Sequence, residues 1–318
     1  MEARVGRAAG DRQPSCREVP PIRRPHLQRR PLPVLGHGIH RRRESVAAPP
    51  RQHPAEDADG VPRPQGAAAD IGCYESAANA AAHVSAASFR GQPIAPEAII
   101  AAFGSNLATA TLVATVTPLP TSLAGTTVKV RDSFGTERLA SLFFVSPTQV
   151  NYQIPAGTTN GAASIVIASS NGQASQTNVQ IASVAPGLFT ADASGRGLAA
   201  AYFLRIKADG SRSNEPVAQF DASQNRFVAR PIDLGTADEQ VFLILAGTGF
   251  RYRSSLSAAS ATIGGAAATV AFVGAQGDFV GLDQANILLP RVLIGRGEVD
   301  VALTVDGQAA NTVRISVK

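Results

Sequence analysis

The seven residues Gln149-Val150-Asn151-Tyr152-Gln153-Ile154-Pro155 return in altered form as Gln284-Ala285-Asn286-Ile287-Leu288-Leu289-Pro290. The shared pattern is Gln-x-Asn-x-x-(Ile/Leu)-Pro. Phe143-Phe144-Val145 precedes the first copy and Ala271-Phe272-Val273 the second. Downstream, Asn171-Gly172-Gln173-Ala174 follows Pro155 by 16 residues, and Asp306-Gly307-Gln308-Ala309 follows Pro290 by the same 16. Two matched motifs at one spacing imply a duplicated structural unit rather than a chance repeat. Gln149, Asn151, Pro155, Gln284, Asn286 and Pro290 are its markers.

Within each copy the residue pattern is that of short strands and tight turns. Val128-Lys129-Val130 alternates about a polar residue, Asp132 to Gly135 reads as a turn, and Leu142 to Val145 as a buried return strand. In the second copy Val299 to Val305 and Val313 to Val317 alternate in and out. Asn171-Gly172 and Asp306-Gly307 tolerate positive φ, so each predicts a hairpin with a type I′ turn. About seven such strands per copy point to an immunoglobulin-like β-sandwich. The expected fold is therefore all-β, with two sandwiches in tandem. Absent tryptophan and three lysines in 318 residues agree with this better than with long amphipathic helices.

Charge is unevenly placed. Residues 1–65 hold 13 Arg against 7 acidic residues, whereas the remainder is close to neutral at 16 basic and 17 acidic. The net charge of +5 thus belongs to the N-terminal stretch, and a basic face for nucleic acid on the folded part is not expected. Residues 1–56, rich in Arg and Pro, carry too little apolar surface to offset their ordering entropy and read as a disordered tail. Cys16 and Cys73 make neither a disulfide framework nor a zinc site. No apolar run spans a bilayer, and Met1 to Pro20 lacks the apolar core of a signal peptide.

The remaining expected boundaries are 57–76, then a linker over 77–91, a first immunoglobulin-like domain over 92–183, a connecting hairpin segment over 184–232 and a second domain over 233–318. Asp192 to Gly197 reads as an exposed loop in the connecting segment. Gly60-Val61-Pro62-Arg63-Pro64, followed by Asp70-Ile71-Gly72-Cys73-Tyr74-Glu75, resembles the closing motif of secreted parallel β-helix proteins of the pectate-lyase-like kind. That resemblance implies the end of a larger extracellular protein. Phe144 to Pro155, Ala185-Pro186-Gly187-Leu188-Phe189 and Gly281 to Pro290 resemble the Solibacter-type C-terminal domain family, itself similar to IPT/TIG immunoglobulin-like domains. That resemblance spans about residues 85–318. It implies the fold and a secreted or cell-surface location, but no activity, cofactor or catalytic residue.

The side chains that chemistry would need are sparse. After residue 76 the chain has one histidine, His83, and no cysteine, which excludes a Ser-His-Asp triad in either repeat and a His/Cys metal site. Asp132 with Glu137, Asp238 with Glu239, and Glu298 with Asp300 are the carboxylate pairs a glycosidase could use, and each stands where a turn or polar strand face would put it. Oxygen-rich loops around Asp192, Asp278 and Asp283 are candidate calcium positions. Gly247-Thr248-Gly249 lacks the third glycine and helix of a phosphate loop and reads as a strand-closing turn.

The paired amides admit two readings. Near a strand end they can bond backbone groups that the sheet leaves unpaired, with the proline stopping the ladder; alternatively they form a sugar-binding pair. Tyr152, Tyr202 and Tyr252 are the tyrosines available to the folded part as an aromatic platform. The expected role is a non-enzymatic extracellular module, without cofactor, acting as spacer, surface-association or adhesion unit of a larger secreted protein. A carbohydrate-binding accessory to a polysaccharide-degrading β-helix enzyme is the alternative. A cell surface or a polysaccharide is the expected partner, rather than nucleic acid.

Overall fold

Residues 80–318 are described by a computed structural model. The Arg/Pro-rich stretch, the 57–76 motif, Cys16 and Cys73 lie outside the described residues. Every pairing between the strands named below is antiparallel, and no α-helix occurs among the described residues.

The first sandwich contains β1 (Ala82–Ser85), β2 (Ile99–Phe103), β3 (Leu112–Val113), β4 (Ser122–Leu123), β5 (Thr126–Arg131), β6 (Glu137–Leu139), β7 (Ser141–Val145), β8 (Gln149–Gln153), β9 (Gly161–Ala168) and β10 (Ala174–Ile181). One layer runs β1-β2-β8-β7-β3 and the other β10-β9-β5-β4, with β6 also pairing β5. Alternation places one side of each strand inward. Ile100, Leu142, Val150 and Tyr152 from the first layer thereby meet Val128, Val130, Ile165 and Ile167 from the second in one core.

The second sandwich contains β11 (Gly187–Leu188), β12 (Ala201–Ile206), β13 (Arg212–Pro216), β14 (Ala218–Asp221), β15 (Arg226–Ala229), β16 (Gln240–Thr248), β17 (Ala259–Ile263), β18 (Ala266–Ala275), β19 (Asp283–Leu288), β20 (Gly297–Val305), β21 (Gln308–Ala309) and β22 (Val313–Val317). Here β18 serves both layers: Ala266 to Ala268 pair with β17, and Thr269 to Ala275 pair with β19. Leu243, Leu245 and Ile287 pack against Val301, Leu303 and Ile315 in a core of their own.

The duplication survives in register. In the first copy the ladder between β7 and β8 slips between Leu142 and Phe144, so that Phe144 faces Asn151. The second copy slips between Val270 and Phe272, and Phe272 faces Asn286. A bulge at the same step of both repeats is a retained feature of the fold, since it sets which face every later side chain takes. After each marker motif the ladder stops at one place: Ile154 N–H donates to Ala98 O at 3.0 Å and Leu289 N–H to Val241 O at 2.9 Å, with Pro155 and Pro290 next.

Two expectations are modified. His83 stands not in a linker but on β1, which pairs with β2 along its whole length. The stretch from 184 to 232 does form a hairpin, β12 with β13, turning through Lys207 to Ser211. That hairpin is woven into the second sandwich rather than bridging the two, because β12 pairs with β16 from Ala201 to Ile206. Sequence reading missed a further hairpin, β14 with β15, whose Phe220 and Phe227 rings meet edge to face at 5.5 Å.

The two predicted hairpin turns differ from one another. Val305 faces Gln308 across Asp306 (φ 48°) and Gly307 (φ 76°), a two-residue turn with both central angles positive, as expected. The Asn171 site is instead wider: Gly172 N–H donates to Ser169 O at 3.1 Å and Ser169 N–H to Gln173 O at 2.8 Å, with positive φ at Gly172 and not at Asn171. Ser170 and Asn171 therefore occupy the turn, and Gly172 supplies the left-handed residue that closes a three-residue loop.

Backbone conformation and steric space separate cleanly at two glycines. A Cβ at Gly307 would meet nothing within 4 Å but would sit at φ +76°, while Gly91 has equally open surroundings and no left-handed φ. Gly307→Ala is expected to lower stability by about 1 kcal/mol, whereas Gly91→Ala leaves it unchanged or raises it by up to about 1 kcal/mol. Urea denaturation of the two variants checks both signs.

Candidate functional site: amide pairs and the joint between the sandwiches

The Gly247-Thr248-Gly249 turn does close β16, and it does so against the first sandwich. Thr248 Oγ1 donates to Gly281 O at 2.8 Å and accepts Ile99 N–H at 2.9 Å. Gly249 O accepts Ala185 N–H at 2.7 Å. Glycine is required here by close approach: a Cβ on Gly249 would stand 2.4 Å from Ala185 O, and one on Gly281 would stand 2.6 Å from Ile99 Cγ1.

Beneath this turn lies a charged cluster that sequence reading missed. Asp283 is fully buried. One carboxylate oxygen accepts Phe250 N–H at 2.8 Å and Arg251 N–H at 3.2 Å, and the other accepts Arg251 Nε at 2.7 Å. The Arg251 guanidinium then reaches Glu97 of the first sandwich at 3.2 Å and Leu282 O at 3.0 Å. Tyr252 donates its hydroxyl to the same Glu97 carboxylate. Burial pushes the Asp283 carboxyl above its ordinary value, opposed by the Phe250 N–H and by Arg251. The hydrogen bond to Glu97, with burial, pushes the Tyr252 phenol up to about 12. Asp283, read from sequence as a candidate calcium position, thus has its charge matched by an arginine.

Most of the other candidate carboxylates are likewise occupied by local partners. Asp132 caps its turn through Phe134 and Thr136 N–H and pairs with Arg138 at 2.7 Å; the Arg138 hydrogen bond is the largest cause of a pKa held down at about 2. Glu137 pairs with Lys129 at 3.0 Å, Glu239 with Arg205, and Glu298 with Arg314 at 3.3 Å. Asp192 accepts the Ser194 N–H and hydroxyl, and Asp278 accepts Gln276 Nε2 at 3.1 Å. No group of three His, Cys, Asp or Glu side chains among the described residues is placed to hold a metal ion.

The marker amides sit elsewhere. Gln149 and Asn151 share the outer face of β8, with Gln149 Nε2 donating to Asn151 Oδ1 at 2.8 Å. Gln284 and Asn286 repeat this on β19 at 2.7 Å. The amides therefore bond one another and not the backbone. The reason is position: β8 and β19 each lie between two paired strands, so their ladder groups are already taken, and side chains two residues apart on one face are within reach.

Aromatic groups flank both pairs. Phe103 faces Gln149 across β2, and Phe144 faces Asn151 across β7. In the second copy Tyr202, Ile244, Asn286 and Phe272 form one cross-strand row over β12, β16, β19 and β18. Tyr202 and Tyr252 are exposed, but Tyr152 is fully buried, because it alternates inward with Val150. A platform of three tyrosines is therefore not formed.

Tyr152 instead meets His83, whose Nδ1 lies 2.9 Å from the phenol oxygen, while His83 Nε2 is buried without a hydrogen-bond partner. Burial holds the His83 pKa down at about 4, against 6.5 when unperturbed.

No protein-family model matches the chain, and no curated protein matches it. Among solved structures, it is similar to the Bacteroides ovatus mixed-linkage glucan utilization locus protein SGBP-B, solved in complex with a mixed-linkage heptasaccharide. That match has 14% identity and a TM-score of 0.27, over 71% of this chain and 43% of that one. It is also similar to tandem immunoglobulin domains of titin, with 10% identity and a TM-score of 0.19, over 69% of this chain and 86% of that one. The chain thus spans less than half the length of SGBP-B.

The His83 environment fixes an acid dependence. Between pH 6.5 and about 4 the unfolded chain takes up a proton that the folded chain does not, so stability is full above this window and falls as pH drops through it. The expected loss over the window is about 3 kcal/mol. Urea midpoints at pH 7 and pH 4.5 measure it, and His83→Gln, which keeps a hydrogen-bonding group without titrating, is expected to flatten the slope.

Proposed function

We propose that residues 80–318 are a non-enzymatic tandem immunoglobulin-like module that serves as spacer, surface-association or adhesion unit of a larger secreted bacterial protein. In this reading the chain belongs with the Solibacter-type C-terminal domains that its motifs resemble. The observation that carries the proposal is the joint. Backbone meets backbone at Ala185 and Gly249, and one arginine ties a buried aspartate of the second sandwich to a glutamate of the first. A spacer transmits position only if its domains do not swivel, and such contacts oppose swivelling far better than a flexible linker does. The ionisable groups serve that architecture: Asp132 caps a turn, Asp283 anchors the joint and His83 packs against Tyr152. No helix among the described residues is long and apolar enough to cross a membrane.

A second reading, carbohydrate binding, is favoured by one specific observation: both amide pairs lie on sheet faces beside aromatic side chains.

The spacer reading predicts that ¹⁵N relaxation of the full-length chain yields a single rotational correlation time for strands of both sandwiches. Two distinct times, one for each sandwich, would contradict it.

A further inference from the structure

The two amide pairs are copies, yet their surroundings have diverged. Asn151 follows its partner Phe144 by seven residues, whereas Asn286 follows Phe272 by fourteen. Three of the additional seven residues extend the paired strands and four lengthen the loop between them, which in the second copy runs from Gln276 to Leu282 and carries Phe279, 67% exposed. Gln276 shapes this loop from within by accepting Asp278 and Phe279 N–H at 2.9 and 3.1 Å. The cross-strand neighbour of the glutamine has changed as well. Phe103 faces Gln149, but Ala246 faces Gln284 from one side and Gly274 from the other.

The longer loop and smaller neighbours accompany a cavity of about 380 Å³ on the face of the second sandwich, lined by Tyr202, Ala246, Gln276, Phe279, Leu282 and Gln284 among others. This is within the range of small-ligand sites, about 300–1,000 Å³. Its lining is mostly apolar with few polar groups, and it holds no basic side chain. Asp283 borders it, but that carboxylate is buried and bonded to Arg251. An anion would find no counter-charge here, and a cation would find none free.

The amide pair defines the remaining chemistry. One hydrogen bond joins Gln284 to Asn286, leaving Gln284 Oε1 as an acceptor and Asn286 Nδ2 as a donor, neither with a protein partner. Exchanging donor and acceptor between the two amides would still leave one of each. A purely apolar ligand would cover these groups without satisfying them, at a cost. Two adjacent hydroxyls on a sugar ring satisfy both, since each can donate or accept, while the apolar C–H face of the ring matches the exposed rings of Tyr202 and Phe279.

Resting on the carbohydrate-binding reading above, we infer that the cavity bounded by Tyr202, Phe279 and Gln284 is a binding site for a neutral glycan. Gln284, on the cavity lining, with Asn286 next to it on the same strand face just outside that lining, takes a pair of vicinal hydroxyls, and the Gln149–Asn151 pair of the first sandwich, where Phe103 fills the corresponding place, is not the site.

The test is electrophoresis of the full-length chain through gels holding a soluble β-glucan, xylan or galactomannan, with polygalacturonate as the charged comparison. Retardation is expected in at least one neutral gel. Tyr202→Ala and Gln284→Ala should each weaken it about tenfold, while Gln149→Ala leaves it unchanged. Thermal melting verifies that each variant is folded. Retardation in none of the neutral gels, retardation by polygalacturonate alone, or equal binding by folded Tyr202→Ala and wild type would overturn the inference. Reducing ends are assayed on the same samples: their release by the wild-type chain would overturn the non-enzymatic reading, whereas absent binding without release overturns only the glycan site.

Discussion

A carboxylate buried without compensation would destabilise the second sandwich, and Asp283 is fully buried. Its compensation comes from Arg251 and from the backbone N–H groups of Phe250 and Arg251, all in the turn that ends β16. Because the same guanidinium also reaches Glu97, neutralising Asp283 and attaching the first sandwich are one event. The turn must therefore hold one conformation, which is why Gly249 and Gly281, at φ +83° and +72°, press against Ala185 and Ile99. Tyr252 completes the arrangement by donating to the second oxygen of Glu97. Removing Arg251 would leave a buried charge unpaired and break the ion pair to Glu97, with the Thr248, Gly249 and Tyr252 contacts remaining between the two domains. Breaking such a pair typically costs about 3–5 kcal/mol.

Duplication has preserved the frame and released the surface. The bulge, the inward alternation and the terminating proline recur at matching positions, since a one-residue slip would turn every core side chain outward. Outside the core the copies were free to differ. The first sandwich carries Phe103 opposite its glutamine, while the second has an alanine there and a longer loop, and with them a cavity. The connecting segment followed the same course, adding β12 and β13 to the edge of the second sandwich.

Much of the frame was legible in the residues. Period-two alternation in Val299 to Val305 and the Asp306-Gly307 dipeptide are local signals, and local signals specify strands and turns. Asn171-Gly172 predicts a hairpin, but the dipeptide alone does not distinguish a two-residue loop from the three-residue loop closed by glycine that forms there. The strand around His83 was hidden by its Ala/Ser-rich setting, which lacks the β-branched residues that mark strands. The joint had no local signature at all: Glu97 and Arg251 are separated by 154 residues and meet only through the fold. The cavity, by contrast, left a trace that the repeat alignment could have exposed. Seven more residues between the bulge phenylalanine and the marker asparagine, with an exposed phenylalanine among them, mark a place where the two copies differ.

The account rests on the two sandwiches forming one thermodynamic unit through Arg251. Differential scanning calorimetry of the full-length chain and of Arg251→Met tests this most directly. The wild type is predicted to unfold the two sandwiches in one transition with equal calorimetric and van't Hoff enthalpies, and Arg251→Met to resolve them into two. Two separate transitions in the wild type, or an undivided transition at unchanged temperature in Arg251→Met, would contradict it.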